Sequence, residues 1–313
     1  MPATKPLSAL DAVHASRPAQ ISTGVLILLG SAYTRRTGIP DGGAWLAEIV
    51  VTLILLLPAI LFDRLIRRHP GRTLSEILYL HLPAALACPL TLLSWLTGLA
   101  AGVYSALEFA VFAQSNTLYH TPTLLIVVFM FITALLLSRS GKRGILRYGG
   151  FLFPGAVLLI TVLQGFALAY MDADNFSVGI LSTGFSPDSV SQFLACTLHL
   201  GFLPFLLLPG IASLFSSVPS DSRGAGSVTL SVLISGVIAA LALLADELVL
   251  SPTVAAAMDF PTYVRSSCIG IGDFFQHVEI LSSFLFQVSC ICVCTRALDW
   301  EAPRTILSHM RKP

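Results

Sequence analysis

Glu108 is the most isolated of the residues able to do chemistry. It stands inside the apolar run from Pro83 to Ala113, with Tyr104 one helical turn before it. Residues four apart share a helix face, so phenol and carboxyl can act together on an ammonium group or a proton. A charge at mid-bilayer costs at least about 2.5 kcal/mol on insertion scales, so Glu108 calls for an explanation. A carboxyl snorkelling toward the nearby helix end is the plainer one. Glu279 and His277 lie near the start of the last apolar run, and His199 lies inside another. A histidine bonded to a neighbouring carbonyl accounts for His199 as readily as a ligand contact does.

Two apolar runs are interrupted by residues that loosen a helix. One opens with Gln20-Ile21-Ser22-Thr23-Gly24, and the other reads His199-Leu200-Gly201-Phe202-Leu203-Pro204. Non-helical backbone survives at membrane depth only where protein or a water-filled cavity surrounds it. A broken helix frees amides at one new end and carbonyls at the other, which together suit the two charges of an amino-acid zwitterion. Simple kinking by glycine and proline, common in membrane helices, is the competing account. The two interruptions lie five apolar segments apart, which fits a five-plus-five inverted repeat.

Other patterns point nowhere. Gly270-Ile271-Gly272-Asp273 spells the GxGD pattern of intramembrane aspartyl proteases, whose chemistry needs a second carboxyl sharing a proton. The Tyr-Asp dipeptide that usually supplies it is absent, so Asp273 reads as a helix cap. Cys290, Cys292 and Cys294 alternate along one helix, where i and i+2 point apart, so no three-thiolate metal site is expected. Gly98 and Gly102 have the spacing of a helix-packing motif. No HExxH, Walker loop or GxSxG elbow occurs. The chain is read as no enzyme, and no cofactor or metal is expected.

The elements that position these residues follow from composition. Of 313 residues 55% are hydrophobic and 11% charged, with mean hydropathy +0.82. Soluble domains carry about 25% charged residues, so lipid is the solvent here. Lys+Arg 18 against Asp+Glu 17 gives net charge +1 and no reason for a nucleic-acid partner. The six cysteines lie mostly in apolar runs and define no disulfide framework.

A membrane helix needs about 20 apolar residues. Six clear segments meet or approach this: Ala44 to Phe62, Pro83 to Ala113, Pro122 to Leu137, Tyr148 to Tyr170, Gly226 to Ala245, and Phe274 to Thr295. Ala19 to Tyr33 is short and Val190 to Phe215 is interrupted, making eight segments and no signal peptide. With the N-terminus cytoplasmic, that side receives Arg64, Arg67, Arg68, Arg72, Arg139, Lys142, Arg143, Arg147 and Arg223, and the tail with Arg296, Arg304, Arg311 and Lys312. The other side receives Arg35, Arg36 and Arg265, together with Asp172, Asp174 and Asp188. Both ends therefore lie inside. Asp63 and Glu76 read as partners of the cytoplasmic arginines, Glu48 as interfacial, and Asp246 and Glu247 as marking a span's outer end.

These residues resemble a family. Arg67-Arg68-His69-Pro70-Gly71-Arg72-Thr73-Leu74 looks like the R-x-P-G-K/R-T-L loop of the spore germination permeases, the B-type membrane subunits of nutrient germinant receptors. That family lies within the amino acid–polyamine–organocation superfamily. Gln20-Ile21-x-x-Gly24 is similar to its Q-I-G-x-G, Leu107-Glu108-Phe109-Ala110 to its R-E-F-A, and Gly201-Phe202 to its G-F. Phe260-Pro261-Thr262 is similar to its W-P-T, and His277-Val278-Glu279 to its R-L-D/E. The matches run collinearly from about residue 20 to residue 298.

The resemblance implies an all-α integral membrane bundle of the LeuT type, an inverted repeat with helices one and six broken. It places a single polytopic domain over 1–313, with a first repeat about 8–171, a truncated second repeat about 190–298 and a polar cytoplasmic tail 299–313. Asp11, His14, Arg17 and Pro18 depart from the family's apolar first half-helix. Leu203 and Pro204 replace its acidic residue after G-F. Only a polar tail follows Thr295, so the last two helices of the fold are expected to be missing. The expected role is a spore germinant-receptor subunit binding an amino acid or similar nutrient in a multi-pass protein of the spore inner membrane. Its expected partners are membrane lipid, a lipid-anchored subunit and a second membrane subunit with a large soluble domain. The alternative is a secondary amino-acid permease acting alone. The expected binding residues are Gln20, Ile21, Ser22, Thr23, Gly24, Tyr104, Glu108, His199, Gly201, Phe202 and Glu279.

Overall fold

The computed structural model describes residues 17–30, 39, 41–176, 186–216, 226–269 and 279–297, the last two without their side chains. Gly270–Asp273, His277 and the tail therefore lie outside the described residues. So do Asp11, His14, Arg35, Arg36 and Arg223. Among the described residues there are eleven α-helices and no strand. They are α1 (Arg17–Leu29), α2 (Ala44–Arg68), α3 (Leu74–His81), α4 (Ala84–Asn116), α5 (Thr123–Arg139) and α6 (Gly141–Leu168). Then follow α7 (Pro187–Ser216), α8 (Ser227–Leu250), α9 (Pro252–Ala257), α10 (Pro261–Cys268) and α11 (Glu279–Ala297). The eight apolar segments become α1, α2, α4 to α8, and α11.

Five helices, α2, α4, α6, α7 and α8, are long and apolar enough to cross a membrane. The apolar helices α5 and α11 are shorter, and α1 has 13 residues, ten of them buried. Local chemistry sets several starts. Thr73 and Glu76 form a reciprocal capping box at α3, Thr73 Oγ1 accepting from the Glu76 amide at 3.2 Å and Glu76 Oε2 from the Thr73 amide at 2.9 Å. Pro252 and Pro261 open α9 and α10, where a missing amide costs nothing.

α1 runs through the middle of the bundle, packed by α6, α7, α8 and α11. α2 lies on α7 and α8, while α11 lies on α4, α5 and α6. Segments five apart touch: α1 meets α7, α2 meets α8, and α4 meets α11. Leu26, Leu146, Leu200, Leu207 and Ile211 fill the shared core. Large apolar side chains cover the outside instead, Phe151 at 82% exposure and Leu57 at 70% among them. Such a surface suits lipid and not water.

The α2–α3 connection, with Arg67, Arg68 and Arg72, and the α5–α6 connection, with Arg139, Lys142 and Arg143, lie at one end. The Gly71 amide there donates to Ser216 O at 3.0 Å, and Lys142 Nζ to Ser213 O at 3.4 Å. At the opposite end the Asp172 amide and Asn175 Nδ2 both donate to Leu248 O, at 3.0 and 3.1 Å.

The expected helix breaks are absent. α1 is helical through Gln20–Gly24, and α7 through His199–Pro204 and on past Pro209. Ser22 Oγ and Thr23 Oγ1 each donate one turn back, to Pro18 O at 2.7 Å and Ala19 O at 2.8 Å. Those hydroxyls are satisfied within an intact helix. Pro204 and Pro209 each remove one amide donor without unwinding α7, an adjustment that membrane helices tolerate.

Candidate functional site

On α1 the glycine and small polar residues serve close packing. Gly24 leaves no space for a Cβ against Ser231 and Phe215, and Gly149 of α6 is equally tight against Thr23. Ser227 Oγ donates to Gln20 Oε1 at 2.6 Å, and Ser231 Oγ to Ile21 O at 3.3 Å. The expected cradle of freed amides and carbonyls is therefore corrected. Gln20, Ser22, Thr23 and Gly24 are buried, and the side chains around them lock α1 to α6 and α8.

The α7 residues do not join them. Gly24 meets α7 at Phe215, whereas Gly201 faces Val51 of α2. Gly201 and Phe215 are 14 residues apart, about 21 Å at the helical rise. His199 is exposed and Phe202 is 64% exposed on the outer face of α7. They sit on a lipid-facing surface, away from a shared pocket with α1.

A different grouping does form between α4 and α11. The Tyr104 phenol hydrogen-bonds the Glu108 carboxylate, as the four-residue spacing allows, and Asp259 and Cys290 lie within electrostatic range of that carboxylate. Phe112 stacks edge-on with Phe260, Tyr263 and Phe286, ring centroids 5.1, 5.2 and 5.1 Å apart. Phe109 meets Phe286 at 5.5 Å. Glu279, half-buried at the start of α11, lies close enough to Tyr263 for its charge to act on the phenol. Burial first, and then Glu279 and Tyr119, raise the Tyr263 pKa. Glu108 and Glu279 thus flank one aromatic cluster. Carboxylates bordering aromatic rings are a suitable environment for an ammonium group.

The most fully engaged carboxylates lie elsewhere, at the ends of α2 and α8. Asp63, expected to serve arginines, is 4% exposed and caps α8. It accepts from the Val228 amide at 3.1 Å, the Thr229 amide at 2.8 Å and the Thr229 hydroxyl at 2.5 Å. Glu247, expected only to mark a span end, caps α2. It accepts from the Gly43 amide at 3.1 and 3.2 Å and from the Ala44 amide at 2.8 Å. The antiparallel pair α2 and α8 is therefore capped reciprocally, each helix supplying the carboxylate at the other's N-terminus. Glu76 is held in its own capping box, and Glu48 is buried within α2.

Arg265, expected in an outer loop, is 1% exposed. Its Nη1 lies 3.2 Å from Asp246 Oδ1 and donates to Ala242 O at 3.0 Å. Thr262 Oγ1 donates to Asp246 Oδ2 at 2.8 Å. Opposite charges assigned to the same outer end, Asp246 and Arg265, were the signal available for this pair. For Asp63 the signal was a lone carboxylate among arginines. All three cysteines of α11 are buried, and Cys294 Sγ donates to Gly102 O at 3.4 Å. Gly102 thus serves helix packing, while Gly98 has open space beside it.

Helices that bury polar contacts inside and present leucine and phenylalanine outside define a multi-pass α-helical membrane protein. Within that class the chain belongs to the spore germination protein family, whose profile matches residues 8–298. That is a family of membrane permease or receptor type. No curated protein sequence matches the chain.

Proposed function

We propose that this germination-family membrane protein is the membrane subunit of a spore germinant receptor, binding an amino acid or similar small nutrient and so triggering germination. Family membership over residues 8–298 carries the reading. The Tyr104–Glu108 pair supports it, with Glu279 across the same aromatic cluster. In this reading Glu108 receives the ligand's ammonium group, Glu279 lends negative charge from the other end of the cluster, and the rings of Phe109, Phe112 and Tyr263 shape its surroundings. Binding shifts the bundle's conformational equilibrium by its differential affinity for two states. A lipid-anchored subunit and a membrane subunit with a large soluble domain read that shift in the spore inner membrane, both termini of the chain being cytoplasmic.

The test is a thermal-shift screen of amino acids on the purified full chain, repeated with Glu108→Gln. At least one amino acid should raise the melting temperature of the parent and leave the variant unmoved. A shift that persists in Glu108→Gln removes Glu108 from the site. Accumulation of radiolabelled amino acid in vesicles carrying the chain alone would replace the receptor by a permease.

A further inference from the structure

A cavity of about 550 Å³ lies between α4, α5 and α11. Its inner wall is Phe112, Ile126 and Met130, all buried, and its outer edge is Leu125, Phe129, Ile280 and Phe284, all exposed. It therefore opens sideways, through the surface that faces lipid. Among the described residues no charged side chain lines it. The hydroxyls of Thr117, Thr133 and Ser283 are spent on their own helices, donating to Ala113 O, Phe129 O and Glu279 O at 3.0, 2.9 and 3.0 Å. A zwitterion would find no counter-charge here, nor would the carboxylate of a free fatty acid.

Length decides the occupant. The cavity begins at Thr117, Leu118 and Thr121 in the α4–α5 connection and continues along α11 from Ile280 to Ile291. Eleven residues of helix rise about 16 Å, against about 15 Å for the hydrocarbon of one leaflet. Its volume falls inside the usual range of ligand pockets, about 300–1,000 Å³. We infer that this groove is a binding site for one acyl chain of a phospholipid in the leaflet at the α4–α5 end. The chain lies along α5 and α11, and the headgroup stays in the headgroup layer beyond Thr121. The groove shares the rings of Phe109 and Phe112 with the nutrient reading but does not rest on it, and its test contains no nutrient.

The experiment reconstitutes the full chain in nanodiscs of phosphatidylglycerol and phosphatidylcholine doped with phosphatidylcholine bearing a diazirine on one acyl chain. After irradiation, labelled peptides are mapped by mass spectrometry. Labelling of 121–133 and 280–291 should exceed by several-fold that of equally exposed faces, such as Leu158 on α6 and Leu57 on α2. Thr133→Trp, an exposed position whose new ring enters the groove, should cut groove labelling several-fold and leave α6 unchanged. Gln287→Leu, which removes the exposed amide in the lining, should preserve or raise it. Labelling merely proportional to exposure overturns the site. Selective labelling by diazirine-palmitate alone overturns the phospholipid source. Loss of labelling in Gln287→Leu assigns the groove to a hydrogen-bonding ligand, and protection from every probe assigns it to a second protein helix.

Discussion

Replacing Asp63 by alanine tests the reciprocal caps that hold α2 to α8. The change removes an acceptor of two amide hydrogen bonds and one hydroxyl hydrogen bond. At 4% exposure, water has little access to replace it. Orphaning a buried donor costs about 1–3 kcal/mol, and losing an N-cap about 0.5–2 kcal/mol. Deleting the carboxylate also removes its own desolvation cost, which offsets part of the loss. The expected net effect is about 2–3 kcal/mol. Glu247→Ala should cost a similar amount, because it too leaves two amides without an acceptor.

The caps are 19 residues apart along α2, on the order of 28 Å, so the two losses should add within a few tenths of a kcal/mol. Thermal unfolding in detergent reads the totals, and amide hydrogen exchange localises them. Asp63→Ala should lower protection at Val228 and Thr229 and spare Gly43 and Ala44; Glu247→Ala should do the reverse. Gly226 supplies an internal check, since a Cβ there would collide with the Asp63 carboxyl. Gly226→Ala should destabilise the parent and cost much less in the Asp63→Ala background. Unchanged protection at both helix starts would refute the reasoning, as would an equal Gly226→Ala penalty in both backgrounds.

Other outcomes follow from the same geometry. Arg265→Met strands Asp246 in the interior and should cost about 3–5 kcal/mol in chemical denaturation, while Arg265→Met with Asp246→Leu should recover most of it. Gly149→Ala forces a methyl into Thr23 and should lower the melting temperature markedly, whereas Gly98→Ala, facing open space, should leave it unchanged or slightly raised. Phe202→Ala, on the lipid-facing side of α7, should change stability by no more than about 0.5 kcal/mol and leave any amino-acid thermal shift intact. Loss of that shift would return Phe202 to the binding site.

Span positions and the grouping of basic residues were legible in the chain because they depend on single segments. Apolar length fixes where a helix can cross, and arginine and lysine near its ends mark a side. The Tyr104–Glu108 pair was legible for the same reason: four residues on one helix are neighbours whatever surrounds them. The fate of Gly24 and Gly201 was not. A glycine can end a helix or let another helix approach, and the choice rests on what lies opposite, here Ser231 and Phe215 for one and Val51 for the other. Partners such as Asp63 with Thr229, or Glu247 with Ala44, stand 166 and 203 positions apart. A buried carboxylate takes whichever donors the packed helices bring to it, and packing alone brings those donors within reach.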